Sequence, residues 1–489
     1  MAKVGFDNKK YLEMQSEKIL ERIATFGDKL YLEFGGKLFD DFHASRVLPG
    51  FEPDSKIKML STLKDKAEIL IVINAGDIEK NKTRSDYGIT YDVEVLRLIE
   101  LFRNNDFYVG SVVLNCFAEQ PSAVAFKKRL EIFGIKVYCH YPIEGYPSDV
   151  EKIVSEAGYG KNEYIVTTRP LVVVTAPGPG SGKMATCLSQ LYHENKRGVK
   201  AGYAKYETFP VWNLSLTHPV NAAYEAATAE LNDVNMIDPF HMEAYGKMAV
   251  NYNRDIEMFP VLSAIMSRIM GKCPYKSPTD MGVNMAGNCI VDDQEVSSAS
   301  KQEIIRRYYD AQIEVLKGNV TKDVVSKIDI LMQKMNISLS DRKVVPKALE
   351  KEALTNTPSA AIELPDGRIV TGKTRNLMGA SAAALLNSLK VLGDIDDGVD
   401  LISASVIEPV QMLKVNHMGS KNPRLHTDEI LILLAMSAVT NPYAKIALGQ
   451  LSSLKGAQFH SSVIISHVDK KTLKQLGICV TMEPKRKKI

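Results

Sequence analysis

Between Glu68 and Glu207, runs that are apolar throughout alternate with stretches of helical periodicity, and this alternation limits the fold more than any other feature of the chain. Ile69-Leu70-Ile71-Val72-Ile73, 107–114, 137–140, Leu171-Val172-Val173-Val174-Thr175 and 202–206 read as strands. Helical stretches near 92–102, 123–133, 149–157 and up to about Glu194 separate them. A strand with one wet face alternates polar and apolar residues, whereas one that is apolar at every position is covered on both sides. The pattern therefore predicts an α/β fold, a mostly parallel sheet between two helical layers.

The flanks read differently. Leu12, Ile19, Ile23 and Phe26 recur at helical spacing before Gly27, so a helix opens the chain. Leu30-Tyr31-Leu32-Glu33-Phe34 and Lys37-Leu38-Phe39 flank Gly35-Gly36 and are expected to form a hairpin. From 221 to 352 the chain reads as almost wholly helical, with Val324, Val325, Ile328, Leu331, Met332 and Met335 on one apolar face. Ala360-Ala361-Ile362-Glu363-Leu364 and Arg368-Ile369-Val370 flank the turn Pro365-Asp366-Gly367, a second hairpin. A helix at 378–392, a strand near 400–403, two helices within 428–451 and strands at 463–465 and 479–482 complete a smaller α/β region. At 489 residues the chain is too long for one core. Three domains are expected: 1–215 with the large sheet, 216–352 helical, and 353–489 a smaller α/β domain.

The formal charge is only +3, which argues against nucleic acid or an anionic membrane as a partner; the basic Pro484-Lys485-Arg486-Lys487-Lys488 reads as solvated. The six cysteines form no C-x-x-C pair, and several lie in apolar runs, as reduced buried thiols do. The first residues are charged and the longest near-apolar stretch, 430–439, is far below the ~20 residues of a membrane span. A soluble cytoplasmic protein without zinc is expected.

The segment that carries chemistry follows the fourth apolar run: Ala176-Pro177-Gly178-Pro179-Gly180-Ser181-Gly182-Lys183-Met184-Ala185-Thr186. Glycines let successive backbone N–H groups turn inward, a helix start adds positive potential, and a lysine adds a mobile cation. Gly178, Gly180, Ser181, Gly182 and Lys183 are thus candidates to cradle phosphate. Against G-x-x-x-x-G-K-[ST], Gly182 and Lys183 are in place, but Pro177 stands at the first glycine and Met184 where a magnesium-binding hydroxyl belongs. Thr186 is the nearest substitute for that hydroxyl. The loop also follows three βα units, not an early strand. The dinucleotide pattern G-x-G-x-x-G fails at Lys183. The expectation is a small phosphorylated ligand, such as a nucleotide with magnesium; the bland alternative is a tight turn whose lysine faces solvent.

Candidate catalytic residues are Asp238, Glu207, Asp86 and Arg84. Asp238 ends an apolar run, as a magnesium-holding aspartate does, although Pro239 makes it equally a helix cap. With His241 and Glu243 it could form a metal cluster, but no second ligand group is identifiable. Glu207, Arg84 and Asp86 follow predicted strands, where α/β sites gather. Thr279 and Asp280 read as helix-start residues, and Thr427 as an N-cap before Asp428 and Glu429. His426-Thr427-Asp428 stands near the H-x-E of zinc deaminases, but no P-C-x-x-C follows. No H-E-x-x-H or nucleophile–base motif occurs.

Gly178-Pro179-Gly180-Ser181-Gly182-Lys183, Cys187-Leu188-Ser189-Gln190-Leu191-Tyr192-His193-Glu194, Asp233-Val234-Asn235-Met236-Ile237-Asp238-Pro239-Phe240-His241, Ser277-Pro278-Thr279-Asp280-Met281-Gly282-Val283-Asn284-Met285 and Arg424-Leu425-His426-Thr427-Asp428-Glu429 together resemble the bacterial uncharacterised protein family 0371, also called domain of unknown function 1846. The resemblance spans essentially the whole chain. It implies a multi-domain α/β protein whose last domain is similar in fold to cytidine deaminases. It implies no activity, so no catalytic residue is carried over. A composite cleft over the cradle, with Arg424 or His426 reaching in, is a further expectation.

Overall fold

The computed structural model describes residues 4–27, 29–84 and 88–486. They gather into two compact units, divided between Ser300 and Lys301.

The first unit is built on a seven-stranded sheet: β1 (Leu30–Phe34), β2 (Ala67–Asn74), β3 (Tyr108–Asn115), β4 (Lys136–Cys139), β5 (Leu171–Thr175), β6 (Gly202–Tyr206) and β7 (Gly282–Val283). Its order is β7-β6-β1-β5-β2-β3-β4, and every neighbouring pair is parallel. All five residues of β1 and of β5 are buried. Since alternate side chains point to opposite faces, both faces of the sheet are covered. The helix Asn8–Thr25 buries Tyr11, Gln15, Ile19 and Ile23, and starts where the Asp7 carboxylate accepts the Lys10 N–H. Helices Tyr91–Asn104, Pro121–Ile132, Lys183–Lys196 and Asn253–Met270 add their apolar faces to the same core.

Two expectations need correction here. Leu30–Phe34 is a central parallel strand, not half of a hairpin: the Gly35 N–H donates to the Tyr206 carbonyl at 3.1 Å and so continues the pairing with β6, while 37–39 form no strand. Five consecutive buried positions, without alternation, are the sign of a strand sealed on both sides. The stretch read as almost wholly helical, 221–352, contains β7 and a small antiparallel ribbon, Asn235–Ile237 with Val250–Tyr252. Its strands are only two or three residues long, too short for periodicity to register.

The second unit carries a four-stranded sheet: β8 (Ser359–Glu363), β9 (Ile369–Lys373), β10 (Gln458–Ser461) and β11 (Cys479–Met482), in the order β9-β8-β10-β11. β8 pairs antiparallel with β9 and β10, and β10 parallel with β11. Helices Ala380–Leu392 and Thr427–Ser437 pack Leu385, Leu389, Ile430 and Leu434 against Phe459 in its core. The strands expected at 400–403 and 463–465 are absent; the chain pairs at Gln458–Ser461 instead, where burial is higher. Among the described residues no helix is long and apolar enough to cross a membrane.

Candidate functional site

After β5 the chain passes through the helix Lys183–Lys196 to β6, beyond β1; after β2 it passes through Tyr91–Asn104 to β3, in the opposite direction. β5 and β2 are neighbours, so their outgoing connections part at the carboxyl ends of the strands, the topological position at which parallel sheets bind ligands. The glycine turn lies at that position, directly after β5.

Its three glycines are required for different reasons. Gly178 rests against the Tyr91 hydroxyl so closely that a Cβ would collide with it. Gly182 has φ +94° and presses on the side-chain amide of Asn115, the last residue of β3. Gly180 has φ +78°, and a Cβ there would meet nothing within 4 Å. The turn is thus clamped at both ends and open at its tip. Ser181 is buried and braces it, its hydroxyl donating to the Gly178 carbonyl at 2.9 Å. The helix starts at Lys183, directly after the left-handed Gly182.

Lys183 does not project freely into solvent. Its side chain is 16% exposed, and its Nζ lies 3.9 Å from Oε1 of Glu33, on β1. The other oxygen of Glu33 accepts the Tyr203 hydroxyl at 2.7 Å. Glu33 is in register with Lys205 on β6, which is paired with Glu207 at 2.7 Å and with Asp255 at the start of Asn253–Met270. Lysines and carboxylates therefore alternate from the glycine turn across β1 to β6. Burial pushes the Glu207 carboxyl well above its ordinary value, with Lys205 opposing and Asp255 adding. Burial opposes the charge on Lys205 too, but Asp255, Glu207 and Glu33 outweigh it and hold the lysine protonated.

The other candidates are placed as follows. Glu207 is buried and belongs to this charged row. Arg84, on a two-residue strand after β2, donates to the buried Glu94, which also takes two bonds from Arg97 at 2.7 and 2.9 Å. Asp86 lies outside the described residues. Asp238 is fully buried and caps Pro239–Tyr245: one oxygen accepts the His241 N–H at 3.1 Å, the other the Thr279 hydroxyl at 2.7 Å and N–H at 3.2 Å. It follows a strand of the antiparallel ribbon, not of the large sheet. His241 faces Ser277 at 3.0 Å and Glu243 is exposed; Ser277 caps the turn containing Thr279 and Asp280. Among the described residues no group of three or more His, Cys, Asp or Glu is arranged to hold a metal ion. Met184 packs against the large core, and Thr186 is wholly buried with no hydrogen-bond partner for its hydroxyl.

In the second unit, His426 rather than Thr427 is the N-cap of Thr427–Ser437, because Glu429 reaches back three residues to accept the His426 N–H at 2.7 Å. The His426 ring meets Asp469 at 3.0 Å through Nδ1, and Asp469 also takes the Ser466 hydroxyl at 2.7 Å and the Thr427 N–H at 2.9 Å. The Asp469 hydrogen bond and charge raise the His426 pKa against burial; burial pushes Asp469 up, but the bonds from His426, Thr427 and Ser466 leave it lowered. The Arg424 Nε–H donates to the Arg375 carbonyl at 2.9 Å.

Sequence reasoning missed Glu33, Lys205, Asp255, Tyr91 and Asn115. Glu33 and Lys205 did leave a trace, as lone charges inside otherwise apolar or aromatic strands. Tyr91 and Asn115 left none, since only the strand order brings them to the turn.

Two family models together match nearly the whole length: "Domain of unknown function DUF1846, N-terminal" over residues 4–336 and "Domain of unknown function DUF1846, C-terminal" over 340–488. A UPF0371 protein of Streptococcus pyogenes serotype M5 is 56% identical over 484 residues, 99% of this chain and 98% of the relative. A UPF0371 protein of Streptococcus sanguinis is likewise 56% identical over 484 residues, with the same coverage. The sheet, the glycine turn and the second unit therefore describe a member of the DUF1846 family of UPF0371 proteins, to which this chain belongs.

Proposed function

We propose that the protein binds a small phosphorylated ligand, a nucleotide or phosphorylated metabolite, at the P-loop-like turn Gly178–Lys183. The observation that carries this reading is the turn's place at the carboxyl end of β5, where the connections from β5 and β2 part. Three features support it. The tip at Gly180 is open, so a ligand can approach the backbone. The helix behind it has fourteen residues and contributes positive potential. Lys183 is retained beside the turn by Glu33. The reaction is phosphoryl transfer or hydrolysis, with Glu207 the best-placed carboxylate of the sequence candidates.

A non-catalytic sensor or scaffold using the same cradle is the second reading, favoured by Met184, which puts a thioether where such enzymes carry a hydroxyl. Turnover of a nucleotide by the intact protein separates the two. In the second unit, the β8–β9 hairpin before the helix Ala380–Leu392 supports the deaminase-like fold that the family resemblance implies.

The test of the site is Lys183→Ala. A phosphorylated compound that binds at a hundredfold excess over Kd stabilises the native protein by about 2.7 kcal/mol. The variant is expected to fold and to lose that increment in a thermal-shift screen. A full shift in the variant would place the ligand elsewhere.

A further inference from the structure

We propose that the turn takes a phosphate monoester, such as a sugar phosphate or nucleoside monophosphate, held without a magnesium ion. This rests on the phosphate reading above and narrows it. The first argument is charge. Around the turn and along the row behind it stand Lys183, Lys205 and, beside Tyr91, Lys82 against Glu33, Glu207, Asp255 and Asp77, so the fixed groups do not favour a highly charged polyphosphate. A monoester brings at most two negative charges, within reach of one lysine and the amides of a helix start.

The second argument is the supply of oxygens. Magnesium bound with a triphosphate takes a hydroxyl from the residue after the P-loop lysine and a strand-end carboxylate. Here the residue after Lys183 is Met184, packed into the core. The next hydroxyl, Thr186, is wholly buried, nearly a full turn into the helix. Of the Glu33 oxygens, one accepts Tyr203 and the other faces Lys183. Glu207 and Asp255 are held by Lys205, and both oxygens of Asp238 are taken by its cap and by Thr279. The carboxylates named here are each already paired, whereas the turn is open at Gly180 and Lys183 is held only by a 3.9 Å contact to Glu33, which an incoming phosphate can replace.

The experiment measures thermal shifts and Kd of the full chain with ribose 5-phosphate, AMP and ATP, each in EDTA and in excess magnesium. Wild type is compared with Lys183→Ala and with Thr186→Val, which deletes the buried hydroxyl without changing side-chain shape. A monoester is expected to bind in EDTA with a Kd within about twofold of that in magnesium, because no ion is part of the site. Thr186→Val is expected to bind it equally, and Lys183→Ala to lose it. Binding of ATP only with magnesium, or a magnesium-dependent loss in Thr186→Val, overturns the metal-free monoester while leaving the phosphate site standing. No shift with any of the three compounds, with or without magnesium, overturns the phosphate site and this inference with it.

Discussion

At the scale of single residues, the glycine turn separates two uses of one amino acid. Gly180 needs only its positive φ, so Gly180→Ala is expected to cost about 1–2 kcal/mol, the ordinary penalty of a left-handed alanine. Gly182 needs both its φ and the space taken by Asn115, so Gly182→Ala is expected to cost about 3 kcal/mol or more. Urea denaturation of the two variants checks the order, and Asn115→Ala should rescue part of the second loss and none of the first. Thr186 gives a prediction of opposite sign. Its buried hydroxyl has no partner, and an unsatisfied buried polar group is costly, so Thr186→Val should raise stability by about 1 kcal/mol in the same assay. The glycines, Lys183 and Met184 were all legible in sequence, because a strand, a glycine run and a lysine are consecutive there. The reason for each glycine was not, since Tyr91 and Asn115 are remote in the chain and meet the turn only through strand order.

Among elements, the helix Thr427–Ser437 is tied at its start to the helix His467–Gln475 by His426 and Asp469. Its pH dependence follows from two opposite shifts. The raised pKa of His426 gives stability that is fully present below about 6.5, the free value, and is lost as pH rises through the higher folded value. The lowered pKa of Asp469 gives stability that is present above its free value of about 3.9 and is lost as pH falls through the lower folded value. The pair therefore stabilises most between about pH 4 and 6.5. The Tm difference between wild type and His426→Gln should be largest in that window and shrink above it; a difference that grows toward pH 8 would contradict the assignment. Sequence placed this helix and its acidic first turn correctly but put the cap one residue late, because Thr427 is the better cap by type while Glu429 fixes the cap by its reach. The short strands at Asn235–Ile237, Val250–Tyr252 and Gly282–Val283 escaped for another reason: two or three residues contain no period.

Across the whole molecule, apolar runs revealed a parallel sheet but not its order, and the order is what gives the site its place. The glycine turn follows the fifth strand in the chain, which looked too late for a phosphate loop; in space that strand is the middle one of seven. The same insertion bears on how the protein is made. β1 emerges early, yet both its neighbours, β5 and β6, begin at Leu171 and Gly202. At ordinary rates of protein synthesis that delay is on the order of ten seconds, during which Leu30, Tyr31, Leu32 and Phe34 have no strand to pair with. A chain arrested before Leu171 should expose this segment to a hydrophobic dye, and the signal should fall once residues through Tyr206 have been added. The central seam of the sheet thus closes only after β2, β3 and β4 have all been made, which makes the newborn chain a natural client for whatever shields apolar segments at the ribosome exit.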